Sequence, residues 1–192
     1  MDPINIIIGL NIIATFGANV TGAKKGLKSK VTAVRERSTS YLQKLPLILS
    51  TVTLAVTIIS LFQVGTLSYL PEYQSIRIAG LIVYLIFSWI QIWSYKSLGD
   101  YYSQDIVIFK DHKVIANGPF NVIRHPQYLS QILVDLAASA ATLSFILLPL
   151  AIIQIPFLIL RAKEEERLLE KYLGSDFISY KKSRGFIIPF IL

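Results

Sequence analysis

Polar side chains that could do chemistry gather at three places in an otherwise apolar chain of 192 residues. The first is the run Gly118-Pro119-Phe120-Asn121-Val122-Ile123-Arg124-His125-Pro126-Gln127-Tyr128. Gly118-Pro119 signals a turn, and a residue before proline is held extended, so a helix can begin only at Pro126. Proline suits a first helical turn, where its missing N–H costs nothing. Arg124, His125 and Tyr128 are therefore gathered at the mouth of a very apolar helix. On that helix Tyr128, Gln131 and Asp135 lie at i, i+3 and i+7, which places Asp135 roughly 10 Å deeper than Tyr128. On the next helix Gln154, Arg161 and Glu165 lie at i, i+7 and i+11, again one face. Two polar stripes on adjacent antiparallel helices imply a polar cleft that opens at one membrane face. Its chemistry is recognition of a polar or charged group beside lipid. The residue types alone name no reaction.

Blander accounts of the same residues stand beside this one. A carboxylate inside a span costs a few kcal/mol, so it is paired or lines a cavity. Gln131, Asp135 and Gln154 could equally be hydrogen-bonding glue between helices. The run Arg161 to Arg167 fits a solvated helix held by i,i+4 pairs such as Arg161 with Glu165. His112 and His125 by themselves fit ordinary interfacial histidines.

The elements that must position these residues follow from composition. The chain is 53% apolar and only 16% charged, with a mean hydropathy of +0.55. Its apolar runs are continuous rather than alternating. That excludes a barrel and gives an all-α polytopic membrane protein, because unpaired backbone is not tolerated in hydrocarbon. About five spans are predicted: Ile4 to Val20, Leu45 to Val64, Ile76 to Tyr95, Gln127 to Ala141 and Phe145 to Leu160. Asn5, Asn11 and Asn19 interrupt the first, which should therefore pack against a partner helix. It lacks a basic lead and a cleavage site, so it is read as retained. The last span continues into a charged helix, Arg161 to Tyr172, ended by Gly174. The tail closes with Phe186-Ile187-Ile188-Pro189-Phe190. Residues 1–75 form a helical hairpin with a basic linker, Thr21 to Lys44, and 76–192 the core of one domain.

The net charge of +7 does not point to nucleic acid, since the basic residues fall in loops between apolar runs. With the N-terminus outside, only Arg77 of the 19 lysines and arginines falls outside. The linker, with Lys24, Lys25, Lys28, Lys30, Arg35, Arg37 and Lys44, the motif around His125 and the C-terminus all fall on the cytoplasmic side. There is no cysteine and there are two histidines. No disulfide, thiol nucleophile or protein metal site is expected.

From Leu98 to the C-terminus the sequence resembles the isoprenylcysteine carboxyl methyltransferases and the related phospholipid methyltransferases. Leu98-Gly99 comes first, then His112-Lys113-Val114-Ile115 against the family's His-x-Leu-Val. Gly118-Pro119-Phe120 stands against Gly-Pro-Tyr, and Arg124-His125-Pro126-Gln127-Tyr128 against Arg-His-Pro-x-Tyr. Glu165-Glu166 matches the paired glutamates, followed by Leu168-Leu169, Gly174 and the close around Tyr180, Arg184 and Pro189. Each element is weak alone; their order, with two spans between the proline motif and the glutamates, is specific.

The resemblance implies an integral membrane methyltransferase that uses S-adenosylmethionine and releases S-adenosylhomocysteine. It implies that His112, Val114, Ile115, Phe120, His125, Pro126, Tyr128 and Glu165 line the cofactor site and that Arg161 holds the acceptor. Gln131, Asp135 and Gln154 are the further acceptor-side candidates. Carboxylate and aromatic groups suit a sulfonium and an adenine ring, and an arginine fork suits a carboxylate. A lipophilic or prenylated carboxylate entering from the bilayer is the favoured acceptor; a lipid amine is the alternative. Phe120 replaces the usual tyrosine, and Leu129-Ser130 stands where Leu-Gly is common. Asp135 lies outside the signature. A sterol-type reductase using NADPH resembles the Arg-His-Pro-x-Tyr region too, but the paired glutamates favour the methyltransferase. A non-enzymatic helical scaffold is the third reading. Oligomeric state is not legible.

Overall fold

The computed structural model describes residues 2–27 and 33–189. Lys28 and Lys30 of the linker and Phe190 of the tail lie outside them, as do the side chains of Asn19, Lys24 and Lys25. The described chain is mostly helical: α1 (Pro3–Leu27), α2 (Leu45–Ser60), α3 (Gln74–Leu98), α4 (Pro126–Thr142), α5 (Leu147–Leu173) and α6 (Ser175–Ser183). An all-α reading misses a short antiparallel ribbon of β1 (Val34–Arg37) and β2 (Val107–Phe109). It also misses the length of α1, which runs into the linker, and α6 as a separate helix.

Local chemistry sets the helix ends. Asp2 accepts hydrogen bonds from the N–H groups of Ile4 (3.0 Å) and Asn5 (3.3 Å), which caps α1. Helix α4 starts at Pro126, as the His125-Pro126 step requires. Helix α5 stops at Gly174, whose positive φ of 53° glycine adopts without a Cβ penalty.

Two helical segments, Tyr41–Ser60 and Pro71–Tyr101, are long and apolar enough to cross a bilayer, and Pro3–Gly17 is apolar but shorter. Helix α4 has 17 residues and carries Asp135, while α5 turns charged from Arg161. Of the five spans expected from the sequence, two are thus long and apolar enough to cross a bilayer among the described residues.

The tightest packing joins α3 to α4. A Cβ on Gly80 would sit 2.7 Å from the Ala141 nitrogen and 2.9 Å from the Ala137 oxygen, so glycine sets the helix separation. Ala137, Ala138 and Ala141 complete a small-residue face against it. Helix α1 lies on α3 and α2 on α5. Two asparagines of α1 find partners on other elements: Asn5 Nδ2 donates to the Leu61 carbonyl (2.9 Å) and Asn11 Nδ2 to Ser88 Oγ (2.9 Å). Arg77 is 2% exposed, paired with Asp2 at 2.5 Å and set 3.5 Å over the Tyr69 ring. The N-terminus is thereby fastened to α3. At the opposite end the ribbon packs the linker onto β2 and α5, where Ser38 Oγ donates to Glu164 (2.7 Å) and Arg37 pairs with Asp105 (2.8 Å).

Candidate functional site

The charged half of α5 is not a solvated helix. Glu166, 4% exposed, faces the start of α4. Arg124 Nε donates to it (2.7 Å), His125 Nε2 lies 3.1 Å away, and Lys181 Nζ reaches its other oxygen (3.0 Å). Burial opposes its ionisation, but the bonds from His125, Lys181 and Arg124 hold the carboxyl at about 2. Arg124 Nη1 also donates to the Lys181 and Arg184 carbonyls at the end of α6 (2.7 and 2.5 Å). The N–H groups of Arg124 and His125 donate to the Gly185 and Phe186 carbonyls (2.8 and 3.1 Å). One buried glutamate therefore locks α4, α5 and α6 together.

Its neighbour has a different task. Glu165 Oε2 accepts the Tyr128 hydroxyl at 2.9 Å, and that hydroxyl accepts from Arg161 Nε at 3.2 Å. Arg161 is 4% exposed. Its Nη1 donates to the carbonyls of Leu42 (2.9 Å) and Gln43 (2.8 Å), and its Nη2 to the carbonyl of Gln104. Of the five donors on a guanidinium, four are engaged within the protein. The two-pronged grip on an acceptor expected of Arg161 therefore has no free fork; one Nη2 hydrogen remains.

Tyr128, Arg161 and Glu165 form one end of a cleft of about 650 Å³. Gln131 and Asp135 line it further along α4, with residues of α1, α2 and α3 opposite. Gln91 Nε2 donates to Gln131 Oε1 (2.8 Å), which turns the Gln131 amide so that its Nε2 meets both Asp135 oxygens (3.0 and 2.9 Å). A second cavity of about 50 Å³ is bounded by His112, Val114, Ile115, Phe120, His125 and Glu165. His112 and Glu165 border both spaces. The imidazole of His112 stacks on Phe109 with centroids 5.9 Å apart and tilts over Tyr101 at 5.1 Å. Burial lowers its pKa to about 4, so it is neutral at pH 7. Its Nδ1 faces the Phe109 N–H at 3.4 Å, which leaves Nε2 to carry the hydrogen.

Two expected residues fall outside both spaces. Gln154 is 1% exposed between α2 and α5, donating to Ser50 (2.9 Å) and accepting from Thr53 (3.3 Å). It is the interhelical glue that the bland account allowed, not a cleft residue. Pro126 is buried beneath the site and acts through the backbone it fixes. The sequence pattern gave no hint of Gln91, of Gln127, whose Oε1 is buried beside the cleft without a donor, or of the Leu42, Gln43 and Gln104 carbonyls. The partners of Gln91 and of the carbonyls are remote in the chain.

A sequence model of the isoprenylcysteine carboxyl methyltransferase family matches residues 78–171. No curated protein matches the chain. Among solved structures, the eukaryotic intramembrane Ras methyltransferase isoprenylcysteine carboxyl methyltransferase, determined without a monobody, matches with a TM-score of 0.61. The match covers 100% of this chain and 69% of that one at 17% identity, a likeness of fold.

Proposed function

We propose that this chain, whose residues 78–171 match the isoprenylcysteine carboxyl methyltransferase family, is an integral membrane methyltransferase of that family that methylates a lipophilic acceptor with S-adenosylmethionine. The observation that carries the reading is the pair of adjoining spaces with His112 and Glu165 on both. The small space alone is far below the roughly 300–1,000 Å³ of a ligand site, while the cleft it borders lies within that range. An aromatic and carboxylate lining suits an adenine ring and a cationic sulfur.

Bound there, S-adenosylmethionine supplies an electrophilic methyl carbon to an acceptor lone pair as the carbon–sulfur bond breaks in line. Glu165, held by the Tyr128 hydroxyl, would balance the sulfonium charge. Neutral His112 offers its ring face, and Val114, Ile115 and Phe120 form an apolar bed, with His125 behind. Arg161 borders the acceptor and offers its remaining Nη2 hydrogen to one oxygen of a carboxylate. A carboxylate is already ionised, so proximity and orientation suffice and no strong base is needed. The acceptor enters sideways from the bilayer, and the site faces the cytoplasm with the C-terminus.

Titration of purified protein in nanodiscs with S-adenosylhomocysteine and with NADPH tests the reading. Binding of S-adenosylhomocysteine alone is expected; binding of NADPH alone, or of neither, overturns it. Transfer of radiolabelled methyl to prenylcysteine, an ethanolamine lipid or a quinone-like acceptor then identifies the accepting group. Because the chain has no cysteine, a single Lys113→Cys change lets an impermeant maleimide report the sidedness.

A further inference from the structure

Asp135 is the least explained group in the cleft. It is 5% exposed, lines the cavity inside an apolar helix, and lies outside the motifs that carry the family likeness. Its hydrogen bonds come from one amide, that of Gln131 on the same helix, and among the described residues no cation pairs with it. A carboxylate can accept about four hydrogen bonds, so much of its capacity faces the cavity. The amide that touches it is oriented by Gln91 from α3, so its position is built rather than incidental. About two helical turns back along α4, the buried Gln127 Oε1 is a second acceptor without a donor on the same cleft. Among the described residues the one cation on the cleft wall, Arg161, has four of its hydrogens engaged elsewhere.

We propose that Asp135 is a specificity-determining residue that anchors a hydrogen-bond-donating group, an ammonium or a hydroxyl, carried by the lipophilic acceptor about two helical turns deeper than Tyr128. A simple hydrocarbon chain would leave this carboxylate facing apolar surface, at the cost that isolated charges meet in membranes. A donor on the acceptor completes it and rejects lipids that present a carboxylate at that depth. The inference rests on the proposed acceptor cleft and adds the chemistry that the cleft selects.

The test uses three ten-carbon carboxylates, 10-aminodecanoate, 10-hydroxydecanoate and decanedioate, which all offer one carboxylate to Arg161 and differ only in the far group, bound to the protein in phosphatidylcholine nanodiscs, with empty discs as the blank. Wild type should prefer 10-aminodecanoate over decanedioate by at least about tenfold, the worth of one charge-assisted hydrogen bond. Asp135→Asn should bring that ratio close to one, and Asp135→Leu should also weaken 10-hydroxydecanoate. Thermal melting checks that the variants fold, and the wild-type preference is decisive even where a variant does not. No preference in wild type, or one that survives in both variants, overturns the proposal. S-adenosylhomocysteine is titrated into the same samples. If it binds while the amine preference is missing, only the role of Asp135 falls; if it does not bind, the methyltransferase reading falls independently.

Discussion

The Tyr128 hydroxyl donates to Glu165 Oε2 at 2.9 Å, joining the first turn of α4 to the charged half of α5. Because the same oxygen accepts from Arg161 Nε at 3.2 Å, one hydroxyl organises an arginine and a glutamate at the mouth of the cleft. Glu165 borders both spaces, so on the proposed reading the geometry here sets how donor and acceptor face each other.

Tyr128→Phe removes that hydroxyl and leaves both neighbours short of a bond. Stability should fall by about 1–2 kcal/mol, and the affinity for S-adenosylhomocysteine should fall several-fold. Chemical unfolding and ligand titration read the two effects. Unchanged affinity would separate the hydroxyl from the cofactor site.

Arg161→Lys replaces a planar fork with a point charge that cannot reach the Leu42, Gln43 and Gln104 carbonyls together. The linker should loosen as turnover is lost. Limited proteolysis should cut faster around residues 38–44, and a cutting rate equal to wild type would show that Arg161 does not hold the linker.

Glu166→Gln leaves Arg124, His125 and Lys181 around a neutral amide. Removing one partner of a buried charge cluster destabilises by about 3–5 kcal/mol, so this variant should unfold well before Glu165→Gln. Equal melting of the two would contradict the assignment of Glu166 as the lock.

Stability should fall with acid in two stages. Between pH 6.5 and about 4 the unfolded chain binds a proton that the buried His112 ring refuses. His112 stability is therefore full above 6.5, declines through that window and is level below it. The Glu166 carboxyl, ordinarily near 4.5 and held at about 2, contributes fully above 4.5 and loses its contribution as pH falls through 2. His112→Phe should remove the first stage and Glu166→Gln the second, read as melting temperature against pH.

The lock and the lining glutamate show where sequence reading reaches its limit. Glu165 and Glu166 stand side by side in the charge run, and a helix turns about 100° between them. One therefore faces the cleft and the other the α4–α6 junction. Periodicity placed Glu165 with Arg161 on one stripe, which the structure keeps, but it could not say that the arginine was already surrounded by carbonyls. Gln154 sat on the same stripe and ended against α2, because a stripe wider than one neighbour is shared between two.

By itself the sequence determined where helices begin and end near the site, since Pro126 and Gly174 act through their own backbones. It also determined the polar faces of α4 and α5, because the 3.6-residue period is a local property of the chain. The tertiary structure alone decided which of those polar groups remain available. Arg161 meets carbonyls 118 and 119 residues away, and Asp135 is approached by a glutamine pair spanning 40 residues. Contacts at such separations depend on how every helix packs, and no spacing along the chain records that.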